Sequence, residues 1–293
     1  MQTILSINNL DLKISDRGIN TPILRDINIE INEGEVHGLV GESGGGKTMV
    51  GKSILGIIPK TANITKGSIL FDGKIIEGSN ALPRKGLLGS EISMILQDPM
   101  TALNPVLKIK TQMIDVLRKH KGFAKASALV RATELLESVH MRDPERILEQ
   151  YPFELSGGMR QRVIIAIAFA CDPKLVIADE PTTALDVTVQ KQILRLIKEQ
   201  QIRTKAAVLF ITHDLGVVAK ICNRVSIIHS GMIIENQSIE GIFNRPKSKY
   251  LKALLNATPR YDKPAELLVP VEDNVIDDLI NKARFYDEGR DSA

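Results

Sequence analysis

Eight residues limit this chain more than any other stretch. Gly41-Glu42-Ser43-Gly44-Gly45-Gly46-Lys47-Thr48 follow a β-rich apolar run, Val36 to Val40. A run with apolar residues at helical spacing comes next: Val50, Ile54, Leu55 and Ile58, stopped by Pro59. The expected order is strand, glycine-rich loop, helix. Glycines let the loop curl so that successive N–H groups point inward, and a helix N-terminus adds partial positive charge. That combination binds anions, and the pattern G-x-x-x-x-G-K-[ST] in this setting cradles a polyphosphate. Lys47 is placed to reach the β- and γ-phosphates, and the Thr48 hydroxyl to ligate Mg²⁺. A plain glycine-rich turn is the alternative, and the flanking strand and helix argue against it.

The rest of the chain suits an α/β fold. Ile27, Ile29 and Ile31 alternate with polar residues, as on a half-buried strand. Asp72-Gly73 between Ser68–Phe71 and Lys74–Ile76 predicts a tight hairpin. Lys110–Lys119 and Lys125–His140 predict amphipathic helices, with Met113, Val116 and Leu117, then Leu129, Ala132, Leu135, Leu136 and Val139 inward. Leu175–Ala178, Val208–Ile211 and Val225–Ile228 are short strands separated by helical stretches, notably Val187–Gln201. Strands alternating with helices predict a mostly parallel sheet covered by helices. After Leu255 the chain turns polar and proline-marked, at Thr258-Pro259-Arg260, Pro264 and Pro270. One short amphipathic helix follows, carrying Val275, Ile276, Leu279, Ile280 and Ala283. Residues 256–293 read as an appendage.

Composition excludes several classes. Hydrophobic residues make up 43% and charged residues 25% of 293, which rules out wholesale disorder and fibrous folds. The longest apolar run, Val163 to Cys171, has nine residues, and a spanning helix needs about 20. The N-terminus does not read as a secretory signal, so a cytosolic location is expected. A net charge of +3 gives no basic footprint for nucleic acid. Two cysteines, Cys171 and Cys222, exclude a disulfide framework and suit a reducing compartment.

A second set of residues completes a chemistry. Leu175 to Ala178 runs into Asp179 and Glu180. Neighbours on a strand point oppositely, so the two acids need not share a role. Asp179 suits a Mg²⁺ ligand, and Glu180, beyond the strand end, suits a group that orients or deprotonates an attacking water. Taken alone, such a pair is also what a solvated loop start looks like. His213 follows another strand and is placed to bond a γ-phosphate, or else lies on the surface. His37, His120, His140 and His229 are left as surface histidines.

Leu155-Ser156-Gly157-Gly158-Met159-Arg160-Gln161-Arg162 resembles the LSGGQ signature of the ATP-binding-cassette (ABC) ATPases, with Met159 in place of Gln. Ser156 lies 24 residues before Glu180, as in that superfamily. The resemblance extends, in the family's order, to Gln97 as a Q-loop, Ala184-Leu185-Asp186 as a D-loop and His213 as a switch histidine. It covers about residues 4–255. Ser156 and two glycines before a helical run (Met159 to Ala170) also form a second exposed helix N-terminus with free N–H groups. One chain thus carries two phosphate-binding features. The resemblance implies a head-to-tail dimer in which Ser156, Gly157 and Gly158 close on the partner's ATP, with Asp186 linking the sites. It implies a P-loop cassette over 1–255: a mixed core sheet, an antiparallel β subdomain and a helical subdomain at about 98–165. Residues 256–293 are then a C-terminal extension.

Gln97-Asp98-Pro99-Met100-Thr101-Ala102-Leu103-Asn104-Pro105 is similar to the long Q-loop of the dipeptide/oligopeptide/nickel importer ATPases. So are Asp179 to Thr188, and the tail Arg245-Pro246 through Tyr250 to Leu255 is similar to that group's "HPYTRALL" segment. This implies an ATPase on the cytoplasmic face of a bacterial inner membrane. Its partners would be two integral membrane permease subunits, a second ATPase subunit, and a periplasmic or lipid-anchored solute-binding protein. Cargo would be di- or oligopeptides, or alternatively nickel or another small nutrient. The roles implied are Lys47, Gln97, Glu180 and His213 for hydrolysis and Thr48, Gln97 and Asp179 for the metal. Three departures from the family stand out. The adenine-stacking aromatic falls near Ile14, which gives apolar contact without stacking. The four cysteines that hold an iron–sulfur cluster in many members are absent from 256–293, so no cluster is expected. Met159 replaces the signature Gln, with no loss of activity expected. A non-transport ABC ATPase is disfavoured by the uninterrupted single cassette and the weak positive charge. A purely regulatory module is disfavoured by the presence of Lys47, Asp179, Glu180 and His213.

Overall fold

The alternating isoleucines Ile27, Ile29 and Ile31 line the inner face of a long strand, and all three are buried. The computed structural model of the protein describes residues 2–183, 185–257 and 270–291. In chain order its elements are β1 (Thr3–Asp16), β2 (Ile19–Asn32), β3 (Val36–Val40), α1 (Lys47–Leu55), β4 (Ala62–Phe71), β5 (Lys74–Glu77) and β6 (Ile92–Ile95). Then come α2 (Pro99–Ala102), α3 (Ile109–Lys121), α4 (Lys125–Ser138), α5 (Pro144–Glu149), α6 (Gly157–Phe169), β7 (Leu175–Asp179) and α7 (Val187–Thr204). Last are β8 (Ala207–Thr212), α8 (Leu215–Ile221), β9 (Arg224–His229), β10 (Met232–Ser238), α9 (Ile239–Asn244), α10 (Lys249–Asn256) and α11 (Asp273–Asp291). The chain divides into two bodies, Met1–Pro83 with Phe210–Ala293, and Arg84–Leu209.

The first body holds an antiparallel sheet in the order β2-β1-β4-β5. Its two hairpins turn on Arg17-Gly18 and on the expected Asp72-Gly73, each pair with both residues at positive φ. Positive φ at both central positions gives the twist that suits a two-residue hairpin. β3 pairs in parallel with β9, and β9 pairs antiparallel with β10, so this set is mixed. Helix α1 ends at Leu55, earlier than Pro59 alone suggests. Gly56 adopts φ 69° and closes the helix with its own N–H bonds to Lys52 and Ser53.

Helices α10 and α11 belong to this body. Ser248 caps α10 by accepting from Leu251 N at 3.1 Å. Glu235 holds the lead-in, accepting from Lys247 N at 2.9 Å and Ser248 N at 2.8 Å. Tyr250 and Leu251 are buried. Helix α11 packs on β2 and α10, with Leu279 and Ala283 inward. The Thr258–Pro264 stretch lies outside the described residues.

In the second body β6 and β7 pair in parallel, Ile92 with Leu175 through Ile95 with Ala178. Helix α6 packs on β6, and α2, α3 and α4 pack on α6. The inward face of α4 is Ala128, Ala132, Leu135 and Leu136; Leu129, expected inward, is 43% exposed. Ala132, Leu135, Leu136 and Val139 are buried as expected, and at the first turn of that face Ala128 is buried in place of Leu129. Val163 to Phe169, the core of the longest apolar run, is a helix buried over most of its circumference. Among the described residues no helix is long and apolar enough to cross a membrane.

Candidate active site

The cradle sits between β3, whose five residues are all buried, and α1. A Cβ on Gly41 would lie 2.1 Å from the Ile228 carbonyl, so only glycine lets the loop leave β3 against β9. Gly46 enters the helix at φ 100° with no side-chain cap, and no acidic residue occupies the first turn. Gly46 has no side chain with which to cap the first N–H donors of α1. Glu42, Ser43 and Gly44 form the exposed rim, and Gly45 N donates back to Glu42 O at 3.1 Å. Lys47 is 4% exposed, and its ammonium donates to the carbonyls of Gly41 and Glu42, both at 2.8 Å. This fixes a positive charge inside the curl of the loop. Thr48 is half-buried in the first turn.

Two buried side chains flank the rim. His229 Nε2 lies 4.0 Å from Glu42 Oε2, and the Tyr250 ring meets the His229 ring edge-on at 4.8 Å. Burial pushes the His229 pKa below the usual histidine range, against the pull of Glu42. Burial, then the Glu42 charge, pushes the Tyr250 phenol up. His37 is also buried, bonded to Ser226 Oγ at 2.9 Å and Glu35 Oε1 at 3.3 Å. The surface assignment is thus wrong for His37 and His229; it holds for His140, which pairs with Glu199 at 2.7 Å. His213 is exposed just past β8. Its neighbour Asp214 caps α8, accepting from Gly216 N at 2.7 Å. Ile14 is half-buried on β1, opposite Thr21 and Ala62.

The second body carries the other predicted residues. Asp179 ends β7 at 5% exposure. Glu180 follows at φ 45°, a left-handed conformation that is uncommon for a residue with a side chain. Its Oε2 accepts from Gln97 Nε2 at 3.0 Å and Thr183 Oγ1 at 2.9 Å. Gln161, buried in α6, donates to Pro181 O at 2.7 Å and steadies the loop beyond the acid. Strain of this kind persists where surrounding bonds over-determine it, typically at working sites. Thr183 and Gln161 escaped sequence reasoning, since neither carries a pattern of its own.

Helix α6 starts at Gly157, two residues before the expected Met159, because Ser156 caps it by accepting from Met159 N at 3.3 Å. Ser156 and Gly157 are exposed and Gly158 is half-buried. A Cβ on Gly157 would meet nothing within 4 Å, whereas one on Gly158 would approach Val189 at 3.1 Å. The fold thus has no packing need for glycine at 157. Asp186 caps α7, accepting from Thr188 N at 3.0 Å and Val189 N at 2.9 Å. Ala184 of the D-loop lies outside the described residues.

The family model described as ABC transporter matches residues 24–183. The chain belongs to the ABC transporter family. The dipeptide transport ATP-binding protein DppD of Bacillus subtilis is 42% identical over 273 residues, 93% of this chain and 82% of that protein. The oligopeptide transport ATP-binding protein OppD of the same organism is 43% identical over 264 residues, 90% of this chain and 74% of that one. Among solved structures, the dimeric bacterial ABC transporter cassette MJ0796 superposes with a TM-score of 0.70 at 25% identity, covering 80% of this chain and 99% of that one. CbiO1 from Clostridium perfringens, part of the ABC transporter complex cbiONQ, gives 0.70 at 26%, covering 84% and 92%. The fold is therefore the ABC cassette, and the chain is an ATPase of that family.

Proposed function

We propose that this chain is the ATP-hydrolysing subunit of a bacterial importer of di- or oligopeptides. The observation that carries the hydrolytic half is Glu180, held in a left-handed conformation with its Oε2 bonded by Gln97 and Thr183. The cargo rests on the names of relatives at 42% and 43% identity, transport ATP-binding proteins for dipeptides and oligopeptides.

In this reading the N–H groups of residues 41–48 and the Lys47 ammonium bind the phosphates of ATP. Glu180 accepts a proton from, or orients, the attacking water, and Gln97 sets the rotamer of Glu180. His213 donates to the γ-phosphate, and Ile14 gives the adenine an apolar surface. Thr48, Gln97 and Asp179 would hold Mg²⁺; a hydroxyl, an amide oxygen and a buried carboxylate are the hard oxygen donors it prefers. The metal, when bound, neutralises charge on the phosphate oxygens. Ser156, Gly157 and Gly158 act on the ATP of a second ATPase subunit, with Asp186 between the sites. The open space at Gly157 supports this, because glycine there serves something outside the chain. The two ATPases would work beneath two permease subunits at the cytoplasmic face of the inner membrane, fed by a solute-binding protein. Cargo is moved by ATP-driven closure, which counts only through its difference in binding energy between two states. Residues 1–255 form the cassette and 256–293 its extension. With two cysteines in the whole sequence, no four-cysteine cluster is proposed.

Deleting the gene in its host should abolish uptake of labelled short peptides and leave nickel uptake intact. Loss of nickel uptake with normal peptide uptake would overturn the cargo assignment.

A further inference from the structure

The tight turn His229-Ser230-Gly231 between β9 and β10 touches the cradle on one side and the C-terminal helix, through a single arginine, on the other. Gly231 N donates to Gly45 O at 3.2 Å, within the cradle itself. Arg25 on β2 grips the same turn twice: its own N–H donates to Gly231 O, and Nη1 to Ser230 O, both at 2.8 Å. The remaining edge of the guanidinium is taken by α11. Nε and Nη2 donate to the two carboxylate oxygens of Asp287, each at 2.8 Å. One helical position earlier, Tyr286 Oη donates to Asp11 Oδ1 at 3.1 Å, and Asp11 Oδ1 also accepts from Asp26 N at 2.6 Å, beside Arg25.

We infer that α11 is a positioning element for the nucleotide site, acting through Asp287, Arg25 and the 229–231 turn on Gly45. This rests on the cradle being that site. The fork of an arginine matches a carboxylate edge and is always charged, so docking at Asp287 holds the plane that presents Nη1 to Ser230. The pair is partly exposed, so its direct worth is small and its effect lies in orientation. Asp287 and Arg25 lie outside residues 41–48, so the role assigned to them is one of positioning. Because coupling between two sites is reciprocal, nucleotide in the cradle must also tighten the docking of α11.

The test is amide hydrogen exchange on the full chain with and without Mg²⁺–ADP, together with ADP titration calorimetry. In the wild type, ADP should slow exchange over residues 41–50 and also over 273–289. In Asp287→Asn the cradle should still be protected, protection of α11 by ADP should vanish, and ADP affinity should fall roughly fivefold or more. Asp287→Glu should restore part of the coupling. Arg25→Lys keeps the charge but cannot hold Asp287 and Ser230 together, so it should behave like Asp287→Asn. If Asp287→Asn melts α11, the wild-type exchange pattern alone decides. Protection of the cradle without α11 overturns the inference. Protection of neither overturns the assignment of the cradle.

Discussion

Lys47 shows how much one side chain does at the residue scale. Its ammonium is buried and bonded to two carbonyls of the loop it serves. Charge-assisted bonds of this kind are worth about 1.5–3 kcal/mol each. In the proposed reading the ammonium makes such a bond to a phosphate, so Lys47→Ala should weaken ATP binding roughly ten- to a hundredfold, checked by equilibrium binding of a fluorescent ATP analogue; unchanged affinity would count against the cradle. Glu235 carries a pH signature. Burial pushes its pKa up, but the N–H groups of Ser248 and Lys247 outweigh that and hold it below the usual carboxylate range. A depressed folded-state value means stability that is present above the unfolded value, about 4.3 for glutamate, and lost as pH falls through the folded value. Urea midpoints measured from pH 6 to pH 3 should fall more steeply for the wild type than for Glu235→Gln. Parallel curves would refute this anchor for α10.

Among the elements, the exposed N-terminus of α6 separates fold from function. Gly157 faces open space in the first turn, where an acidic side chain favours a helix. Gly157→Asp should leave the melting temperature unchanged or slightly raised. It should nevertheless suppress ATPase activity at least tenfold, because a carboxylate there would repel the partner's phosphates. Calorimetry and a phosphate-release assay read the two effects separately; full activity would remove the signature from the mechanism. These elements were unevenly legible in the sequence. Asp72-Gly73 announces its hairpin, since that pair is rich in the left-handed conformations such turns need. Arg17-Gly18 and Ser230-Gly231 make the same kind of turn with weaker first residues, and went unseen. The β3–loop–α1 unit was plain because its signals are contiguous. Glu180 was placed by its strand, but its backbone conformation and its bond from Thr183 leave no local pattern. The same is true of Arg25 and Asp287, which meet across 262 positions.

For the whole molecule, the decisive property is a chain without a spanning helix among its described residues, in a family of transporters. What the chain contributes is ATP hydrolysis, and in the proposed reading the permease subunits supply the path for cargo. The two segments proposed to bind phosphate, residues 41–48 and 156–158, fall in different bodies of the fold. In the proposed mechanism the chemistry depends on one acid, Glu180. The most direct measurement is therefore on Glu180→Gln, comparing ATP affinity, turnover and size by gel filtration in Mg²⁺–ATP with the wild type. General-base loss costs typically 10²–10⁴-fold. ATP affinity should stay within about threefold of wild type, turnover should fall at least about a hundredfold, and an ATP-bound dimer should persist. Turnover close to wild type would contradict the role of Glu180 in hydrolysis.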